Sequence, residues 1–253
     1  MGALGKVLLY QGNRHRNVLL PDFSEGTAVS ANQHLIIDSG KGVLLDPGGH
    51  KIYSRVLSET MLEMGGGRLE HILLSHQDPD IVAAINGWLM TTEATAWVSQ
   101  LWLRFIPHFG VDRLVIERLK GVPDEGMRLP FGESEVWLIP AHFMHSPGNF
   151  HVYDPVAKIL YTGDLGASMV EYREVTDFEA HKAKMEGFHK RYMASRRIAE
   201  AWAKMVRQLD IEIIAPQHGA ILRGKEMAQR FIDWVESMEC GIDLIAPRLS
   251  LPQ

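Results

Sequence analysis

Short apolar stretches alternate with longer amphipathic segments along the whole chain, and this alternation restricts the fold to sheets covered by helices. β-Branched content and flanking Gly, Pro or Asp predict strands over Lys6–Tyr10, His34–Asp38, Val43–Asp46, His71–Leu74, Ala96–Ser99, Leu114–Glu117, Glu135–Pro140, Phe150–Tyr153, Lys158–Thr162 and Glu212–Ala215. A 3.6-residue period predicts helices over Ile52–Met64, Asp80–Met90, Gln100–Phe109, Asp177–Tyr192, Ser195–Leu209 and Lys225–Glu239. An early hairpin joins His34–Asp38 to Val43–Asp46 through a Ser-Gly-Lys-Gly turn at 39–42. No internal repeat, low-complexity tract or linker interrupts the pattern, so the expectation is one domain over residues 1–253.

Composition narrows the function classes. At 253 residues, 46% apolar and 23% charged, the chain has enough material for a sizeable core. Its net charge of −5 comes from interspersed acids and bases, which argues against a nucleic-acid surface. No apolar run is long enough to span a bilayer, and Met1–Tyr10 lacks the parts of a signal peptide. The expectation is therefore a soluble, cytoplasmic protein with no membrane partner. A single cysteine, Cys240, excludes an internal disulfide framework and a Cys-rich metal cluster.

The informative residues are histidines and aspartates placed just past predicted strands. His76 and Asp78 follow His71–Leu74, and Asp80 starts the next helix. His145 follows Glu135–Pro140, Asp164 follows Lys158–Thr162, and His218 follows Glu212–Ala215. Carboxyl ends of strands are where a rigid sheet holds functional loops, and neighbouring strands would bring these residues to one cavity. Taken singly, Asp80 reads as a helix cap, Asp164 as a turn residue, His218 as a loop histidine and His76 as a polar strand end. Those readings leave the recurrence at strand ends unexplained. Three imidazoles and three carboxylates without thiolate suit iron or manganese better than copper or a structural zinc site. Six ligands exceed what one reactive ion needs and fit two ions sharing a carboxylate. Two divalent cations also offset the mutual repulsion of the three acids.

Ser-His-Gln-Asp-Pro-Asp at 75–80, His-Ser-Pro-Gly-Asn at 145–149, Tyr-Thr-Gly-Asp at 161–164 and Ala-Pro-Gln-His-Gly at 215–219 resemble the metal-binding motifs of the metallo-β-lactamase superfamily. Gly-Val-Leu-Leu-Asp-Pro-Gly at 42–48 fits its second hairpin, and the resemblance runs from about Gly26 to Gly219. Within the superfamily the chain resembles the diiron domain of flavodiiron proteins and the related oxygen-binding diiron proteins. The fold implied is an αββα sandwich. The subfamily rests on Asp78, which stands where hydrolytic zinc members carry a second His and flavodiiron members carry Glu.

The resemblance implies that His76, Asp78, His145 and Asp164 hold one iron, and that Asp80, Asp164 and His218 hold the other. Asp164 is then the bridge of an oxo- or hydroxo-bridged pair. Ile81 stands where the family pattern has a further His, which implies an open position at the second iron and an apolar group helping to exclude water. His145, not His142, matches the family's His-x-Pro. Tyr192 resembles a family position near the diiron pocket, where it would donate a hydrogen bond; it reads equally as a half-buried helix tyrosine. The stretch beyond Gly219 offers no room for a flavodoxin domain, so no flavin is expected, and family likeness suggests a homodimer. Three functions follow. The chain is an oxygen-binding sensor, carrier or slow scavenger; or an oxygen or nitric oxide reductase fed by a separate electron-donor protein; or a zinc hydrolase. Asp78 and Ile81 weigh against the third, because they remove two of its usual imidazoles.

Overall fold

Side chains alternate across each strand, and in this chain both faces are apolar. The structure, a computed structural model, describes residues 4–24 and 30–252; Gly26, where the resemblance begins, lies outside the described residues. Strands β1 (Val7–Gln11), β2 (His15–Leu19), β3 (His34–Asp38), β4 (Lys41–Leu45), β5 (Arg68–Leu73), β6 (Thr95–Ser99) and β7 (Leu119–Val122) form a seven-stranded sheet in chain order. A six-stranded sheet contains β8 (Met127–Phe131), β9 (Ser134–Pro140), β10 (Phe150–Asp154), β11 (Ile159–Tyr161), β12 (Ile213–Ala215) and β13 (Leu222–Arg223), in the order β13-β12-β11-β10-β9-β8. In β3, Ile36 enters the layer between the sheets while Leu35 and Ile37 turn to the outer face. In β11, Ile159 and Tyr161 face inward and Leu160 outward.

Helices cover both outer faces. α1 (Tyr53–Met64), α2 (Pro79–Val82) and α3 (Ile85–Thr91) bury Val56, Ile81 and Trp88 against the first sheet. α4 (Phe178–Tyr192), α5 (Arg196–Val206) and α6 (Lys225–Ser237) bury Met185, Trp202 and Phe231 against the second. The expected αββα sandwich is the architecture observed. The β3–β4 hairpin turns on Ser39 and Gly40, both at positive φ (49° and 76°), as a tight two-residue turn requires. Lys41 and Gly42, expected in the turn, belong to β4.

Several expected elements differ. The strand expected at Leu114–Glu117 is instead turn and 3-10 helix, and the pairing strand is Leu119–Val122. The helix expected over Gln100–Phe109 is a run of turns ending in a 3-10 helix at Ile106–Phe109, where Pro107 cannot donate to a regular ladder. The helix expected over Asp80–Met90 is broken between α2 and α3. Strand β2 was hidden because its inward positions include polar His15 and Asn17. Strand β8 was hidden by Arg128 and Pro130, and a proline is tolerated there because β8 is an edge strand.

A buried polar link ties the two sheets together. His15 on β2 contacts Asp154 of β10 through Nε2 at 2.6 Å and Asp38 of β3 through Nδ1 at 3.2 Å. Asn17 adds a donor to Asp154 at 2.6 Å and another to the Tyr161 hydroxyl at 2.9 Å. Burial opposes a charge on His15, but the hydrogen bonds and charges of Asp154 and Asp38 outweigh it and raise its pKa. Replacing His15 by Leu takes the shared imidazole from two buried carboxylates, so we expect a loss of about 3–5 kcal/mol in urea unfolding. A raised folded pKa gives stability that is fully present below the unfolded value of about 6.5 and lost as pH rises through the folded value. The gap between native protein and His15→Leu should therefore narrow as pH climbs from about 6.5; a gap independent of pH would show that His15 is not charged.

Candidate metal centre

Four strand ends converge at one end of the sandwich. β9, β11 and β12 point the same way in the second sheet, because β10 is antiparallel to both neighbours and β12 is parallel to β11. Their exits carry His145, Asp164 and His218, and β5 of the first sheet delivers His76 and Asp78. The main chain ties the sheets at this point: the Phe150 N–H donates to the Ser75 carbonyl at 3.1 Å.

The donor atoms of His76, Asp78, His145 and Asp164 all lie within 4.8 Å of one another. His145 Nε2 stands 3.5 Å from Asp78 Oδ2 and 3.1 Å from Asp164 Oδ2. His76 Nε2 stands 3.6 Å from Asp78 Oδ2 and 3.7 Å from Asp164 Oδ1. On the other side, His218 Nε2 is 3.3 Å from Asp80 Oδ2 and 3.4 Å from Asp164 Oδ1. Asp164 thus lies between two groups of donors, with one oxygen toward His145 and the other toward His76 and His218. All six expected residues are brought together.

Electrostatics fit a cation-binding set. Two buried donors, His76 Nε2 and Asp164 Oδ1, have no hydrogen-bond partner. Such groups are costly inside a protein unless something occupies their lone pairs. Burial opposes charge on His145 and His218, yet the neighbouring carboxylates raise each pKa to about 9. Hydrogen bonds from His145 and His76 hold Asp78 well below the usual carboxylate range. Burial pushes Asp164 up, but His145 and the other imidazoles pull it below its ordinary value. Asp78 and Asp164 are thus held toward the ionised form and His145 and His218 toward the protonated form, and a metal cation would displace those protons on binding.

Surrounding groups fix the orientation of each donor. His218 donates from Nδ1 to the Ser30 carbonyl at 2.6 Å, which leaves Nε2, facing Asp80, as the nitrogen that would give up its proton to a metal. His76 Nδ1 is paired with the Ser75 hydroxyl at 3.0 Å. Gln77 donates to Asp78 at 3.1 Å and Gln217 to Asp80 at 3.2 Å. Two positioning residues escaped sequence reasoning. Asp46, just past β4, accepts the Ser75 N–H at 2.8 Å; its strand-end location in Leu-Asp-Pro-Gly was the available signal. His189 accepts the Gly166 N–H on Nε2 at 2.8 Å and donates from Nδ1 to the Met185 carbonyl at 2.7 Å. Burial keeps it neutral, with a pKa down to about 4, so it can brace the loop that follows Asp164. Lying in the last turn of α4, it carried no motif signal.

The remaining expectations separate cleanly. His142 has both ring nitrogens engaged, Nε2 donating to the Asp124 carbonyl at 2.8 Å and Nδ1 accepting the Gly148 N–H at 3.2 Å. It is not a member of the donor cluster. Asp80 does not cap α2: the capping position is Asp78, and its side chain makes no capping bond. Ile81 is fully buried in the core between α2, α3 and the first sheet and is not among the residues that line the pocket beside the site. The site opens into this pocket, of about 790 Å³, whose apolar walls include Ala83, Met169 and Phe188. Tyr192 lines this pocket, stacked on Phe188 at 4.7 Å and with its ring centroid 5.8 Å from that of His145.

Two packed sheets covered by helices, with a His/Asp cluster at the exits of their strands, define a metallo-β-lactamase-type protein. The chain belongs to the ODP family beta lactamases, whose family model matches residues 29–219. It superposes on a structure described as the peroxy diiron species of chemotaxis sensor ODP with a TM-score of 0.87 and 41% identity, covering 97% of this chain and all (100%) of that one. The apo state of the same sensor from T. denticola gives 0.86 and 41%, covering 98% and 100%. Rubredoxin oxygen:oxidoreductase from Desulfovibrio gigas shares the fold, with a TM-score of 0.73 at 14% identity over 91% of this chain and 61% of that one. Diflavin flavoprotein A 1 of Synechocystis is 24% identical over 85% of this chain and 38% of its own length. The chain spans about half or less of the curated relatives it matches, 52% and 38%.

Replacing His145 by Ala removes a donor from the cluster, whereas His142→Ala removes only loop hydrogen bonds. We expect metal affinity, measured by competition with a chromogenic chelator, to fall by more than about 100-fold in the first and by less than about tenfold in the second. Equal losses would return His142 to the site.

Proposed function

We propose that the chain is a non-haem diiron protein that binds dioxygen in its reduced state. The observation that carries this reading is the shared position of Asp164, which clusters with His76, Asp78 and His145 and also stands 3.4 Å from His218. One carboxylate between two donor groups is what a pair of ions requires, and nitrogen and oxygen donors without thiolate suit iron. His76, Asp78, His145 and Asp164 would hold one ion, and Asp80, His218 and the shared Asp164 the other. The second ion would then have fewer protein donors and an open position for a small ligand. The likeness to chemotaxis sensor ODP, described with a peroxy diiron species, supports the same reading.

When bound, two ferrous ions supply two reducing equivalents and an accessible coordination position. The chain's own residues do the rest. Asp164 holds the two halves in register, and Ser30 keeps the donor nitrogen of His218 turned inward. Apolar Ala83, Met169 and Phe188 line the approach to Asp80 and His218. Tyr192 is the candidate proton or hydrogen-bond donor from the pocket wall. Fast turnover would need a separate electron-donor protein, and we include such a donor and pairing with a second copy in the proposal. Among the described residues, no helix is long and apolar enough to cross a membrane.

The test is iron-reconstituted, dithionite-reduced protein mixed with oxygen under stopped flow. We expect two irons per chain and a visible band that outlasts mixing and decays slowly without added reductant. Asp164→Ala should lose both ions together and the band with them. Native protein that takes up only zinc, or an Asp164→Ala variant that keeps full iron, would overturn the reading. Rapid consumption of oxygen on adding a rubredoxin-type donor would make it a reductase.

A further inference from the structure

We infer that Met169 is an oxidation site served by this centre: peroxide released into the pocket converts its thioether to the sulfoxide. The inference rests on the diiron reading, which supplies the oxidant. Two ferrous ions give dioxygen two electrons and become ferric, and with two protons from water the product is hydrogen peroxide. Reduction of oxygen to water takes four electrons, so without a separate donor the chemistry stops at peroxide. In the second step a lone pair on the Met169 sulfur attacks one peroxide oxygen. The O–O bond breaks, an S–O bond forms, and the other oxygen leaves as water. Peroxide is the whole oxidant for this step, and no further reductant enters.

Placement singles out this thioether. Met169 lines the pocket and is 71% exposed. The loop that carries it leaves β11 through Asp164. Just before Met169, Ser168 is seated against Gly219: a Cβ on Gly219 would stand 2.0 Å from the Ser168 hydroxyl oxygen. Gly219 follows His218, so this contact holds the loop beside the half of the site with fewer protein donors. The other methionines lack one property or the other. Met64, Met144, Met185, Met193 and Met238 are buried. Met61 (38% exposed) and Met90 (51%) are open to solvent, but they belong to α1 and α3 and do not line the pocket. Among the described methionines, Met169 alone combines high exposure with a place on the pocket wall.

Oxidation at this position changes the pocket itself. A flexible apolar side chain becomes a polar, chiral one, beside Ala83 and Phe188 on the same wall. The change outlasts the oxygen that caused it, because a sulfoxide returns to the thioether only through a dedicated reductase. The chain then carries two records on different timescales: reversible occupancy of the centre, and a covalent mark left by each release of peroxide.

The test is peptide mass spectrometry of the iron-loaded full chain, reduced, freed of reductant and exposed once to air with catalase present to destroy peroxide that escapes. We expect Met169 to gain an oxygen atom at least about tenfold more often than Met61 or Met90. Metal-free protein given hydrogen peroxide directly is the comparison, and there the three methionines should react within about threefold of one another. Met169→Leu should lose the mark without shifting it to Met61 or Met90. Equal oxidation of the three in air-exposed iron protein, or the same preference for Met169 in the metal-free arm, would overturn the inference. Iron content and the visible band are measured on the same samples. Full iron and a band without the mark on Met169 refute this inference alone; protein that takes up no iron refutes the diiron reading and removes the oxidant with it.

Discussion

The rest of the structure depends on the placement of one buried carboxylate, Asp164, among three imidazoles. An isolated carboxylate at this depth would be driven toward its neutral form. Here His145, His76 and His218 surround it and keep it ionised. All three imidazoles contribute to offsetting the cost of burying that charge, and they come from three different strand exits. The fold can therefore be read as a device for holding those exits at fixed separation.

That holding is done by contacts outside the cluster. Asp46 fixes the backbone before His76, and His189 fixes the backbone after Asp164. Asn149 grips the His145 loop, donating to the Met144 carbonyl at 3.0 Å and accepting from the Ser146 hydroxyl at 2.6 Å. Deeper in the sandwich, His15 and Asn17 bridge the sheets through Asp154, so the relative position of β5 and the β9–β12 group is set by polar contacts as well as by apolar packing. Both sheets contribute donors, β5 of the first leading to His76 and Asp78 and the second supplying His145, Asp164 and His218. The site's geometry is only as firm as these links.

The donor set was legible in the sequence because strand ends are legible. His76, His145, Asp164 and His218 each follow an apolar stretch bounded by small residues, and that pattern survives errors of a residue or two in the strand limits. The misplaced elements lie where tertiary context overrides pattern. Leu114–Glu117 has the composition of a strand, yet pairing begins at Leu119. β2 pairs centrally although it carries His15 and Asn17, because their partners sit on β3 and the opposite sheet, out of reach of any local rule. His189 is invisible for the same reason: its role comes from the 2.8 Å approach of Gly166, not from its neighbours in sequence. Ile81 drew notice as the place of an absent imidazole, and its side chain packs in the core beneath the first sheet's helices.

The central claim is that Asp164 is shared by two ions. Crystals grown anaerobically from iron-loaded protein, with data collected on both sides of the iron absorption edge, test it most directly. The account predicts two anomalous peaks per chain, one among His76, Asp78 and His145 and one beside Asp80 and His218, with an Asp164 oxygen against each. A single peak, or two peaks with Asp164 bound to only one, would contradict it.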